Sequence, residues 1–523
     1  MSEARSKILW VDDEIELLRP HVLFLESKGY AVHPVTNADD AVQLIRDSSF
    51  DLVLLDEMMP GKDGLSALAE IKEINPALPV VMVTKNEEER LMEEAIGSRI
   101  ADYLTKPVNP SQILSTCKKI LDSRKITGAR VSREYIAEFN AISRRLLEPL
   151  TWKDWIEIYL LLSEWEVELD RHADLGLRQT LADQKRECNA EFAKFIEKNY
   201  PGWAAGQERP PLSIDVVKDY VIPPLQEGKR VAFLVMDNLR LDQWLTIEPL
   251  IRELFTVNRE HYFAILPTAT PYARNAIFAG LFPRDIQREH PDLWAFDKDD
   301  DSSLNRHEHA FLEAQLQRLK VHLRPPVKYI KVLDQNEAKA VEKQIGSYAE
   351  LPLLALVINF VDILAHSRSD SEVLREITPD EAAYRSLTKS WFEHSPLYRI
   401  LRELSQRGNT VIVTSDHGSI RGMRGAKVIG DRETSTNLRY KFGRSLKADP
   451  KQAIIVQKPE TYQLPSLNVT TNFLFAKEDY YFVYPTNYHH YLNYYRDSLQ
   501  HGGVSLEEMI LPIVRLEPIG GRT

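Results

Sequence analysis

The chain has 523 residues, of which 43% are hydrophobic and 27% charged, a balance that suits about three globular domains of roughly 100–200 residues each. Its formal net charge of −11 argues against a protein built to coat nucleic acid. No run approaches the ~20 apolar residues of a membrane-spanning helix. The two cysteines, Cys117 and Cys188, are far apart and form no CxxC, which excludes a disulfide framework and a cysteine zinc module and fits a reducing cytoplasm. The opening MSEARSKILWVDDE turns acidic too soon for a secretory signal.

Residues 1–122 alternate short apolar runs with helical patterns. Strands are expected at 7–11 (KILWV), 31–35, 51–55 (DLVLL), 80–84 and near 101–104. Helices are expected at 15–28, 38–46, 65–74 and 87–96, and from 111 onward. Such alternation implies a doubly wound parallel sheet, with functional residues at the carboxyl ends of the strands. Those ends carry Asp12, Asp13 and Glu14 after the first strand, Asp56 after the third, Thr84 at the fourth and Lys106 after the fifth. Three carboxylates beside one lysine and one hydroxyl suit an acyl-phosphate site. Asp12 and Asp13, with Asp56, would hold Mg²⁺, a hard cation that prefers oxygen. Asp56 would take the phosphoryl group, Lys106 would pair with its charge and Thr84 would bond a phosphate oxygen. Acidic loop clusters alone are usually solvated faces, so the reading rests on the full set. VDDE at 11–14, LLDEMMPGKDG at 54–64, VT at 83–84 and YLTKP at 103–107 together resemble the receiver domain of two-component response regulators. The resemblance implies that Tyr103 is the aromatic switch, that a sensor histidine kinase phosphorylates Asp56, and that the Thr84/Tyr103 face forms a homodimer on phosphorylation.

Residues 123–206 read as an all-α linker bundle of about three helices, at 130–147, 152–169 and 177–199. Trp152, Trp155, Tyr159 and Trp165 suit core packing, or a surface that senses the receiver's state.

The α/β pattern returns over 207–523. Apolar runs at 231–236, 261–266, 353–360 and 410–414 end in Asp237, in the segment of Thr268 and Thr270, in Asp362, and in Asp416-His417. His366 lies four residues after Asp362, on one helical face with it, and His501 opens His-Gly-Gly near the end. Three Asp and three His suit two Zn²⁺ ions bound through oxygen and nitrogen. A pair about 3.5–4 Å apart would clamp the attacking and leaving oxygens of a phosphoryl transfer. Thr270, followed by Pro271 and a helical stretch, reads as a helix N-cap, where free N–H groups attract phosphate, and as the attacking nucleophile. Thr268 is the weaker candidate. Each of these residues alone has a plain reading, as a turn, a cap or a satisfied core group. His489-His490, set among seven tyrosines, suits packing or base stacking better than metal binding.

In order, Asp237, Thr270, Asp362/His366, Asp416-His417 and His501 resemble the alkaline phosphatase superfamily, and PTATPYARNAIFAGLFP at 267–283 resembles its nucleotide pyrophosphatase/phosphodiesterase branch. The segment is closer still to a PglZ domain. Receiver, helical linker and PglZ domain in one chain resemble the PorX-type response regulators of type IX secretion. The resemblance implies one zinc on Asp237, Asp416 and His417 bridged by Thr270, and another on Asp362, His366 and His501. It also implies a sigma factor or secretion component downstream.

The stretch 419–447 carries a local charge of +6, including Arg421, Arg424 and Arg439. Beside a di-zinc site it reads as a loop that binds a nucleotide or short oligonucleotide, cyclic ones included. A solvated basic surface, or a docking patch for an acidic partner, is the alternative. The expected architecture is thus multidomain: a doubly wound receiver (1–122), an all-α helical linker (123–206) and an alkaline-phosphatase-like α/β domain (207–523). Two functions follow, a phosphorylation-controlled zinc phosphodiesterase or a docking regulator that acts by binding a partner.

Overall fold

The computed structural model describes residues 6–85, 100–172, 176–294, 305–430, 437–466 and 470–519. The helix expected at 87–96 lies outside them. Two compact units form, Met1–Ile136 and Ala137–Thr523.

The first unit is built on a five-stranded parallel sheet, in the order Ala31–Val35, Lys7–Val11, Leu52–Asp56, Val80–Thr84, Asp102–Thr105. Alternation along each strand feeds two cores. Leu9, Val11, Val53 and Leu55 join the core of one face, and Ile8, Trp10, Leu52 and Leu54 that of the other. Side-chain caps set two helix starts: Asn37 accepts from the Asp40 amide, and Asp63 from that of Ser66. The strand order reverses between Lys7–Val11 and Leu52–Asp56, and Asp12 and Asp56 stand at those two strand ends. The first helix starts at Arg19 rather than near 15, because residues 13–18 form turns around the acidic cluster. The last helix runs unbroken from Pro110 to Arg145, where the pattern suggested a break. Gly128 alone does not stop it, since a mid-helix glycine costs only about 1 kcal/mol.

The second unit centres on a six-stranded sheet in the order Phe255–Phe263, Ile510–Pro518, Thr410–Thr414, Val231–Met236, Leu353–Ile358, Lys328–Val332. The last four are parallel, and Ile510–Pro518 runs antiparallel to both its neighbours. Val231–Met236, Leu353–Ile358 and Thr410–Thr414 are buried throughout, as strands covered on both faces must be. Their carboxyl ends therefore gather Asp237, Asp362 and Asp416 at one edge.

The helices Trp152–Arg171 and Arg178–Ala204 pack on this sheet's unit. Trp155 meets Phe192 edge-on at 5.3 Å, and Phe192 and Trp203 both meet Phe263 of the edge strand. Trp155 and Tyr159 are buried, while Trp152 and Trp165 are half-buried. A buried charge network joins the same helices to the C-terminal segment. Lys185 lies 2.9 Å from Glu166 and 3.0 Å from Glu507. Asn189 donates to Glu507 at 3.0 Å and accepts from the Leu506 amide at 2.8 Å. Arg385 pairs with Asp170 at 2.8 Å and Asp242 at 2.9 Å, and Asp242 also holds Arg240 at 2.7 Å. Among the described residues, no helix is long and apolar enough to cross a membrane. Both cysteines are free and buried.

Candidate phosphoacceptor and metal sites

In the first unit, Lys106 Nζ lies 2.8 Å from Asp12 and 3.0 Å from Asp56, and one oxygen each of Asp12, Asp13 and Asp56 lie within 4.8 Å of one another. Asp12 and Asp56 are buried while Asp13 is exposed, so a small cation would be held from inside with one side open. Burial pushes the Asp56 carboxyl up, against the pull of Lys106 and with the help of the negative charges of Asp12 and Asp13. Burial also works against the Lys106 charge, but its bonds to Asp12 and Asp56 prevail and hold it up. Thr84 donates to Glu57, so its hydroxyl has a partner to leave before it can bond a phosphoryl oxygen. Tyr103 is 41% exposed. Gly64 passes so close to the strand end that an added Cβ would sit 2.2 Å from the Asp56 carbonyl oxygen, which explains the glycine of KDG. Asp56→Asn is expected to abolish Mg²⁺-dependent labelling by acetyl phosphate. Phosphate-affinity gels would check this, and undiminished labelling would move the acceptor elsewhere.

In the second unit the six Asp and His residues form two triads. Asp237, Asp416 and His417 are all buried, with one ligand atom each within 4.8 Å, and Asp362, His366 and His501 form the other group. His417 Nε2 is 3.6 Å from Asp237 and 3.7 Å from Asp416. His366 and His501 lie 3.4 and 3.9 Å from Asp362 Oδ1, His366 from the next turn of the helix Phe360–Asp370. The triads adjoin, since the rings of His417 and His501 stack 4.1 Å apart. Asn238 sits between them. Its φ of 64° lies in the left-handed region that asparagine tolerates. From there its amide N–H donates to Asp416 and its side chain to Asp362.

Burial sets the electrostatics of the first triad. It pushes Asp237 up to about 7, against Arg274, and Asp416 up to about 6. Asp362 moves the other way: burial raises it, but the bond to His366 and the His501 ring hold it well below the usual carboxylate range. Burial lowers His417, and lowers His501 further with help from His417. Asp416 Oδ2 is buried and accepts no hydrogen bond, the Arg274 guanidinium standing off at 3.8 Å, a costly state for a carboxylate oxygen that a directly bound cation would relieve. Two nitrogen-and-oxygen triads with an orphaned buried carboxylate oxygen fit two divalent cations.

Thr270 stands against the first triad, its Oγ1 2.9 Å from His417 Nε2 and 3.4 Å from Asp237 Oδ1. It is the first residue of the helix Thr270–Ala279 rather than its N-cap. Ala269 holds the cap position, and the Thr270 hydroxyl faces the site instead of bonding a helix amide. Two amides of the first turn are engaged, for Tyr272 and Ala273 both donate to the Ala269 carbonyl. Thr268 is buried and structural. Its hydroxyl donates to the Gly503 carbonyl and accepts from the Gly502 amide, which ties down the His501 loop. Gly502 adopts φ 116°, the reason for glycine after His501.

A cavity of about 800 Å³ opens over Thr270, Asp237, Asp362, His366 and His501, with Arg306, Lys331 and Tyr440 on its walls. Arg421, Arg424 and Arg439 do not line it, which corrects the expectation that they meet the substrate. Arg421 pairs with Asp497, and Arg424 with Glu478 and Asp479 under the Tyr480 ring. Arg439 is fully buried on Glu508. The charge count over 419–447 missed these acids because they lie downstream, and the described residues of the segment include the strands Ile420–Gly422, Arg424–Lys427 and Tyr440–Arg444. Sequence reasoning also missed Arg274, which donates to Asp237 and Glu308, and Asn238. Arg274 lies one helical turn after Thr270, a spacing that would have found it. His489-His490 stand in the helix Tyr488–Tyr495, in ring contact with tyrosines and outside both triads.

The fold and these triads define an alkaline phosphatase-like protein with a receiver at its N-terminal side. The chain belongs to the family of the BREX system PglZ alkaline phosphatase-like domain, whose model matches residues 216–516. Residues 8–118 match the response regulator receiver domain and 125–204 the PorX response regulator linker domain, so the chain is a PorX-type response regulator. Among curated proteins it is similar to the transcriptional regulatory proteins ResD of Bacillus subtilis (strain 168), 35% identical over 116 residues, and ZraR of Salmonella typhimurium, 33% identical over 142. These matches cover 22% and 27% of this chain but 48% and 32% of those proteins, so the chain spans about half or less of the relatives' length. A solved CheY-like receiver from Methanospirillum hungatei JF-1 is 27% identical, with a TM-score of 0.23, over 24% of this chain and 99% of that one.

Proposed function

We propose that this chain is a cytoplasmic response regulator in which phosphorylation of Asp56 controls a di-zinc phosphodiesterase. The division of labour is receiver at 1–122, helical linker at 123–206 and hydrolase at 207–523. A sensor histidine kinase supplies the phosphoryl group, and Asp12, Asp13 and Asp56 hold Mg²⁺. The output cavity acts on nucleotides or short oligonucleotides, cyclic ones included. The observation that carries this reading is the Thr270 hydroxyl, held by one Asp/His triad in a cavity that residues of both triads line.

Asp237, Asp416 and His417 would hold one zinc and Asp362, His366 and His501 the other. Bound there, the two cations supply Lewis-acid polarisation of the phosphoryl group and activation of the attacking oxygen. The chain does the rest. His417 and Asp237 hold Thr270 Oγ1 in the cavity, where it would attack phosphorus in line. Asn238 fixes the spacing of the two triads by bonding Asp416 and Asp362. The first triad is closed to solvent, while the His366 side chain is half exposed, so the diester enters over the second. The exposed Tyr103 supports homodimerisation through the Thr84/Tyr103 face on phosphorylation. The match to the PorX linker supports a place in type IX secretion control, with a sigma factor or secretion component as downstream partner.

Elemental analysis is expected to find two zinc ions per chain. Turnover of bis(p-nitrophenyl) phosphate is expected to exceed that of p-nitrophenyl phosphate, to fail on chelation, and to change with acetyl phosphate. Preference for the monoester would remove the diesterase claim. A zinc-free chain that still bound its partner would leave the docking regulator as the better reading.

A further inference from the structure

Arg274 is a buried cation in a site that is read as holding two more. It stands one turn after Thr270 on the same helix, and its side chain is 1% exposed. Its Nη1 donates to Asp237 Oδ2 at 2.6 Å, and its Nε donates to Glu308 Oε1 at 2.6 Å. The same Nη1 is 3.8 Å from Asp416 Oδ2. Glu308, also buried, accepts from the Tyr329 hydroxyl and lies 3.4 Å from Lys331 Nζ. The two oxygens of Asp237 therefore have different neighbours. Oδ2 is held by Arg274, while Oδ1 faces Thr270 Oγ1 at 3.4 Å and His417 Nε2 at 3.6 Å.

We propose that Arg274, braced by Glu308, is a positioning residue for the Asp237–Asp416–His417 site: it holds Asp237 Oδ2 so that Oδ1 alone is presented to the cation. The inference rests on the zinc reading above. A guanidinium suits the task because its planar fork reaches Asp237 and Glu308 at once, in a fixed geometry that an ammonium lacks. Groups that orient a metal's ligands in this way typically change affinity by about 10–100-fold when removed. The brace matters as well. Without Glu308, Arg274 would be free to swing toward Asp416, and Asp237 would lose its single orientation.

The test is zinc titration of the metal-stripped full chain against a chromophoric chelator, for wild type, Arg274→Ala, Arg274→Lys and Glu308→Gln. One of the two zincs is expected to weaken by about 10–100-fold in Arg274→Ala and less in Glu308→Gln, with the other unchanged. Arg274→Lys should recover part of the loss. In a His366→Ala background, which disables the second triad, the remaining zinc should show the weakening. Equal or tighter binding of both zincs by Arg274→Ala would overturn the proposal, because Arg274 would then only neutralise the carboxylates. A wild-type chain that takes up no zinc would overturn the zinc reading and this proposal together. Should Arg274→Ala fail to fold by circular dichroism, Glu308→Gln, which keeps the guanidinium, decides: a selective loss supports the proposal and no loss ends it.

Discussion

Thr270→Ala is expected to lower kcat/KM for a generic phosphodiester by at least about 10³-fold, about 4 kcal/mol of transition-state stabilisation. The variant removes the hydroxyl that lies 2.9 Å from His417 Nε2 and 3.4 Å from Asp237 Oδ1. It removes neither triad, so zinc uptake should stay near two per chain. Thr270→Ser should keep most of the activity, because it keeps the oxygen and loses a methyl. Thr268 offers the control. Its hydroxyl is engaged with the Gly502 amide and the Gly503 carbonyl, so Thr268→Ala should act through stability and the His501 loop rather than through the chemical step. Steady-state kinetics beside elemental analysis separates these effects. Unchanged rates in Thr270→Ala would take the nucleophile's role from it.

The second large effect is expected in Asp242→Asn. Asp242 is fully buried and answers two guanidinium groups, Arg240 at 2.7 Å and Arg385 at 2.9 Å. Burial pushes its carboxyl up, but the two arginines prevail and hold it well below the usual range. A neutral asparagine leaves two buried cations short of one negative charge. Breaking a buried ion pair from one side typically costs about 3–5 kcal/mol. Glu381 and Asp170 remain to pair with the arginines, so the lower end of that range is expected. Urea unfolding followed by tryptophan fluorescence should show the transition of residues 137–523 at lower denaturant with an unchanged slope. A midpoint equal to wild type would mean that the remaining acids carry the network without Asp242.

Much of the site was legible because of one pattern, an apolar run that stops at a polar residue. Lys7–Val11, Leu52–Asp56, Val231–Met236, Leu353–Ile358 and Thr410–Thr414 are buried on both faces, so their residues read as continuous hydrophobic runs. The first polar residues after such runs must emerge at one sheet edge, and the carboxylates of both sites were found in that way. What stayed hidden depends on pairing across long sequence distances. Arg274 finds Glu308 and Asp237, each more than 30 residues away, and nothing local marks the match. Arg439 read as a surface cation because its partner, Glu508, is 69 residues downstream. The aromatic stripe of the middle helices had the same ambiguity. Helical spacing shows that Trp155 must be buried, but Phe263, a strand residue, completes the cluster around Phe192 and Trp203.

The contact of Asn189 with Glu507 and Leu506 bears on how such a chain can be assembled by recombination. A crossover at residue 206 would separate Lys185 and Asn189 from Glu507, and set a foreign sheet against helices whose buried charges match this one. Leu506 lies three residues beyond Gly503, so a mismatched graft would also disturb the loop that bears His501. The portable cassette is therefore the helices together with the sheet they pack on. A swap that exchanges residues 1–136 for another receiver keeps every one of those pairs intact.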